Sequence, residues 1–123
     1  VLRQDYIGRL IQQLIEAFGR AIARLDEQDL DAADSEIDAA ERSLGLPRGI
    51  ELFDARSAAL VIGNGDKVVL AALLLEHRAR VLDARGAGAD ARRKRQRALA
   101  LLEHAKPHEL REQADALRAR LGA

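Results

Sequence analysis

The sequence predicts an all-α fold, and three observations carry that prediction. Apolar residues recur three and four positions apart along most of the chain, no segment alternates like a strand, and Ala, Arg, Leu and Asp dominate the composition. Ala and unbranched side chains lose little entropy in a helix, so this composition favours one. The 123 residues read as a single domain, 1–123, long enough to bury a real core.

The first helix is expected over about Leu2 to Leu25, where Ile7, Ile11, Leu14, Phe18, Ala21 and Leu25 follow a 4-3-4-3-4 spacing. Leu10, Ile15 and Ile22 flank that stripe and widen it beyond what one neighbour covers. A second helix spans Leu30 to Leu44, with Asp29 as N-cap, acids in its first turn, and Gly45 and Pro47 ending it. Its inner face is Ala33, Ile37, Ala40 and Leu44. Ile50 to Ile62 is the least regular stretch, read as a short helical turn at Glu51–Ala55 and another after a Ser57 cap. Gly63-Asn64-Gly65-Asp66 is a break.

The third long helix should begin near Asp66 and reach Arg85. Val68 to Leu75 is apolar almost all round, which marks the most buried element. After a turn at Gly86 and Gly88, Asp90 can cap a helix that runs to about Ala105. Pro107 suits the first turn of a last helix, with Glu109 and Glu112 near its start and Leu110, Ala114, Leu117 and Leu121 as its stripe. The expected architecture is a bundle of about five helices.

Composition excludes several classes of function. With no Cys there is no disulfide framework, thiolate metal site or cysteine nucleophile. The longest apolar run, Val68 to Leu75, is far short of the roughly 20 residues that span a bilayer. The opening residues lack the layout of a signal peptide, so the expected setting is the cytosol. Net charge is zero, which argues against a general nucleic-acid binder. The charges are nevertheless segregated. Asp26 to Glu41 holds eight acids and no Lys or Arg, whereas Arg78 to Arg97 holds eight bases against Asp83 and Asp90. Two oppositely charged surfaces invite pairing, within the chain or between copies.

Small residues recur at a fixed distance: Ala33 and Ala40 return as Ala91 and Ala98, 58 positions on. Alanines seven apart let a neighbouring helix come close, as in stacked helix pairs. The segment Ala72 to Glu103 resembles a tetratricopeptide-type hairpin, with Leu75, Ala79, Leu82, the turn glycine Gly86, Ala91 and Ala98 in its slots. Arg95 departs from the large apolar residue expected between the two alanines. Ala17, Ala21, Arg24, Gln28, Ala33, Ile37 and Ala40 fill the corresponding slots earlier, without a large residue at Ala17 or a turn glycine at Gln28. The opening Leu2-Arg3-Gln4-Asp5-Tyr6-Ile7, followed by Arg9-Leu10-Ile11 and Gln13-Leu14, is similar to the start of a family of small bacterial helical proteins without an assigned activity. That resemblance implies fold and no chemistry.

The strongest candidate for function is the basic stretch Arg92-Arg93-Lys94-Arg95-Gln96-Arg97. Arg92, Arg93, Lys94 and Arg97 are the expected partner-binding residues, and Ile7, Ile11, Leu14 and Phe18 of the first helix a second surface. Arg95 is read as an inner-face residue with a packed stem and an outward head. The remaining bases pair with the acidic second helix, meet an acidic protein, or contact a phosphate backbone. No aromatic residue lies nearby to stack a base. The acidic run lacks the glycine and spacing of a calcium loop. His104 and His108 lack a His-Glu-x-x-His frame, and Glu76 and Glu103 each directly precede a His, which rules out Glu-x-x-His pairs. No Gly-rich loop has phosphate-binding spacing, and Ser35, Ser43 and Ser57 sit in no nucleophile elbow. The expectation is a non-enzymatic interaction or scaffold module, without cofactor or metal, whose partner is another protein or a second copy in a homodimer. A small nucleic-acid-associated regulator using residues 92–97 is the alternative, and a structural subunit of a larger assembly a third.

Overall fold

The computed structural model describes residues 2–122, with side chains from Asp5 to Gly122; Leu2, Arg3 and Gln4 of the opening motif lie outside the described side chains. Among these residues the chain is all-helical: α1 (Leu2–Asp26), α2 (Leu30–Leu44), α3 (Ala55–Ile62), α4 (Gly65–Ala84), α5 (Gly88–Glu103) and α6 (Arg111–Gly122). A 3-10 turn at Ile50–Leu52 precedes α3. Six helices thus replace about five. Asp54 rather than Ser57 caps α3, accepting bonds from the Ser57 backbone N–H at 2.8 Å and its hydroxyl at 3.1 Å.

α4 is the hub and packs against all five other helices. The cause is its sequence: Val68, Val69, Leu70, Ala71, Ala72 and Leu74 are all buried, so its first half is covered on nearly every side. α1 pairs with α2 and α4 with α5, and these two helix pairs meet along α1–α4 and α2–α4. Leu14, Ile37, Leu44, Leu70, Leu102 and Leu117 are the largest fully buried side chains, drawn from five of the helices.

The two helix pairs close with the same turn. In the first, the N–H groups of Glu27, Gln28 and Asp29 donate to the carbonyls of Ala23, Leu25 and Arg24 at 3.1, 2.9 and 2.9 Å. In the second, those of Arg85, Gly86 and Ala87 donate to Val81, Asp83 and Leu82 at 3.0, 3.0 and 2.8 Å. Every donor and acceptor is displaced by the interval that separates Ala33 from Ala91. The left-handed position of this turn is Gly86 (φ 82°) in one copy and Gln28 (φ 61°) in the other, so the first turn forms without its glycine. Ala33, Ala40, Ala91 and Ala98 are all buried, which lets the paired helices approach closely.

Some of the other boundaries hold and some move. Asp29 caps α2 as expected, accepting from the Ala32 N–H at 3.1 Å, and Gly45 ends it in the left-handed conformation. α5, however, starts at Gly88, before Asp90, and stops at Glu103 rather than Ala105. α6 starts at Arg111 rather than at Pro107. Its start is set by Asp66 of α4, whose carboxylate accepts the N–H groups of His108, Glu109 and Leu110 at 2.9, 3.1 and 3.0 Å. At this contact α4 and the α5–α6 connection nearly touch: a Cβ on Gly65 would lie 1.9 Å from the Lys106 carbonyl oxygen.

Candidate functional site

α2 and α5 both lean on α4 without a direct contact as extensive as either makes with it, and a groove of about 840 Å³ opens between them. Leu74, Leu75 and Leu82 of α4 form the floor together with Leu101 of α5. Leu46 and Ile50 of the α2–α3 connection, with Ala58 and Ile62 of α3, close one end. Arg93, Lys94 and Arg97 of α5 stand along one wall, Glu41 along the other, and Arg78 rises from α4 between them.

The spacing of α5 explains its wall. Arg93, Lys94, Arg97 and Leu101 fall at i, i+1, i+4 and i+8 and therefore share one face. Arg93 pairs with Asp90 one turn earlier. Arg97 donates to the Ile50 carbonyl at 3.2 Å and so pins the 3-10 turn to the groove end. Arg92 is exposed and lies outside the groove lining. Neither Arg92 nor Lys94 forms an ion pair among the described residues.

The acids of α2 are answered from within the chain, though not by residues 92–97. Arg78 bridges Asp38 and Glu41 at 2.9 and 3.1 Å, and Arg85 bridges Asp31 and Asp34 at 2.9 and 2.7 Å. Arg20 of α1 holds Glu36 at 2.8 Å. The expected pairing therefore exists, carried by α4 and α1, and it leaves the α5 wall with its own charge.

Arg95 turns inward as its position between two buried alanines requires. It donates to Glu76 at 2.7 Å and to Asp83 at 2.6 Å, and Arg120 of α6 approaches Glu76 at 3.5 Å. Burial opposes the Arg95 charge, but those carboxylates hold its pKa above the usual arginine value. Glu76 is buried, so this network ties α4, α5 and α6 together from a buried carboxylate outwards to the exposed Asp83 and Arg120. On the far side of α4, His77 stacks on Phe18. Burial, reinforced by the charges of Arg80 and Arg120, lowers its pKa to about 4. At the outer edge, the Ser57 backbone N–H and hydroxyl lower the pKa of the Asp54 cap.

The second expected surface is not a surface. Ile7, Leu14 and Phe18 are buried and Ile11 is half-buried against the core, because α2 and α4 together cover the α1 stripe. Tyr6 and Ile15 on the outer side of α1 are nearly half exposed, but the most exposed apolar side chains lie elsewhere: Leu52 at 85% and Leu60 at 73%, with Phe53 and Val61 beside them nearly half exposed. Sequence reasoning missed this edge and the groove role of Arg78. The available signal was the run Ala58 to Ile62, five apolar residues on a helix too short to turn them all inward.

Among the described residues no group of three His, Asp or Glu side chains is placed to hold a metal. No helix there is long and apolar enough to cross a membrane. No family model matches the chain, and comparison with curated proteins and with solved structures found no significant match.

Proposed function

We propose that the chain is a non-enzymatic protein–protein interaction module of the bacterial cytosol, built on two tetratricopeptide-like hairpins, with the α2–α4–α5 groove as its docking surface. The observation that carries this reading is the groove itself: an apolar floor beside a wall whose bases α2 does not neutralise. A preformed cleft of this kind suits helix-in-groove recognition, in which apolar anchors give affinity and charges give specificity and on-rate. The repeated turn and the four buried alanines support the hairpin assignment. The partner is another protein or a second copy of the chain.

A photoreactive residue in place of Leu75, which lines the floor, tests the reading in cells. A discrete protein adduct that disappears in Lys94→Glu/Arg97→Glu is the expected result. Absence of any protein adduct overturns it.

The alternative, a small nucleic-acid-associated regulator, draws on Arg92 and Lys94, neither of which is ion-paired among the described residues. It requires duplex binding that falls steeply with salt and is lost on reversing Arg92, Arg93 and Lys94.

A further inference from the structure

Resting on the groove as docking surface, we propose that its occupant is an acidic amphipathic helix from a partner protein, with carboxylates along the flank of its apolar stripe that faces α5.

Charge selects the sign. A ligand lying over Leu75 and Leu82 meets Lys94 and Arg97 on the α5 side. Lys94 has no acidic partner among the described residues, and Arg97 hydrogen-bonds only to a carbonyl, its charge felt by the Asp54 carboxylate without an ion pair. On the α2 side Glu41 is already bound by Arg78. A basic segment would meet Lys94 and Arg97 without a free acid on either wall, since Asp90 is held by Arg93 and Glu41 by Arg78, apart from the exposed Glu51 at the end. Like charges brought together in this way exclude wrong partners.

Backbone chemistry selects the helix. An extended peptide needs a sheet edge to satisfy its N–H and C=O groups, and the described residues contain no strand. Over an apolar floor an unpaired backbone group is costly, whereas a helix satisfies its own. A helix also suits a cleft between two others that lie on a common third, because side-chain ridges of one helix can pack into the grooves of its neighbours. Lys94 and Arg97 are three apart on α5, so acids three or four apart on the incoming helix can meet both. Duplex DNA fits poorly, since its phosphates have no use for Leu75, Leu82 and Leu101.

The test is fluorescence anisotropy with a labelled synthetic helix of about 20 residues, long enough to hold its fold. It carries a leucine stripe flanked by glutamates, and a second peptide replaces each glutamate by lysine. Saturable binding of the glutamate peptide alone is expected, weakened about tenfold or more in Lys94→Glu/Arg97→Glu and unchanged in Arg92→Glu, which lies outside the groove. Because Arg97 also anchors Ile50, Lys94→Glu alone serves as a second variant, with circular dichroism confirming its fold. Equal binding of both peptides, no binding of the glutamate peptide, or equal loss in Arg92→Glu overturns the proposal. A protein adduct at Leu75 whose cross-linked segment is basic or extended would overturn the acidic helix while leaving the interaction module standing; absence of any adduct removes both.

Discussion

The imidazole of His77 lies against the Phe18 ring, centroids 4.4 Å apart and planes 20° from parallel, and only 8% of the residue reaches solvent. Burial, reinforced by Arg80 and Arg120, lowers its pKa to about 4, so at neutral pH it is an uncharged aromatic filler. The unfolded chain binds the proton near pH 6.5, the ordinary value. Between those values the unfolded state holds more protons, so stability rises with pH. The contribution is intact above pH 6.5 and is lost as pH falls towards 4, by about 3 kcal/mol in all. Thermal melts from pH 7 to 4 should fall more steeply in the wild type than in His77→Phe, which keeps the stack and removes the proton site. Parallel curves would mean that His77 ionises freely in the folded chain. On the sequence alone a His following Glu76 in α4 is expected to be partly exposed and hydrogen-bonded; its burial against Phe18 was not legible, because the stack depends on how α1 crosses α4.

At the scale of elements, the repeated turn gives a paired test. Gln28 holds the left-handed conformation that Gly86 holds in the second copy, and an L-residue there is disfavoured by roughly 1 kcal/mol. Gln28→Gly should therefore raise stability by about 0.5–1 kcal/mol, and Gly86→Ala, with no atom within 4 Å of the added Cβ, should lower it by a similar amount. Urea denaturation reads both, and a loss of stability in Gln28→Gly would mean its side chain matters more than its backbone. The α6 start gives a larger effect. Asp66 lies in the first turn of α4 and also accepts the N–H groups that precede α6, so one carboxylate serves two helix starts. Asp66→Ala should cost about 2–3 kcal/mol and Asp66→Asn less, since an amide oxygen still accepts. Equal costs would point to charge, not hydrogen bonding. These cases also show what local signals convey. α2 was legible at both ends because Asp29 and Gly45 act within one turn. The α6 boundary was not, because its cap comes from 42–44 residues earlier in the chain.

For the whole molecule, an all-helical bundle was readable from apolar spacing, and α4 as its buried hub from the run Val68–Leu75. The docking surfaces were less so. The α1 stripe announces burial but not what buries it, and here α2 and α4 do. The basic stretch announces charge, but which bases remain unanswered depends on Arg78 and Arg85 reaching α2 first. That pairing has a consequence for assembly. Asp31, Asp34, Asp38 and Glu41 are bound within one chain, so they are poorly placed to hold two chains together. Surface ion pairs weaken once salt shortens the screening length from about 10 Å at about 0.1 M to about 3 Å at about 1 M, whereas apolar contacts do not. Light scattering on a sizing column should therefore give the same molar mass at both ionic strengths. A dimer of that behaviour has its most accessible apolar surface at Leu52 and Leu60, and Leu52→Glu/Leu60→Glu should return it to a monomer without disturbing the core, which neither residue joins. A dimer that falls apart in salt would place ion pairs between chains and would require α2 to exchange Arg78 and Arg85 for partners on a second copy.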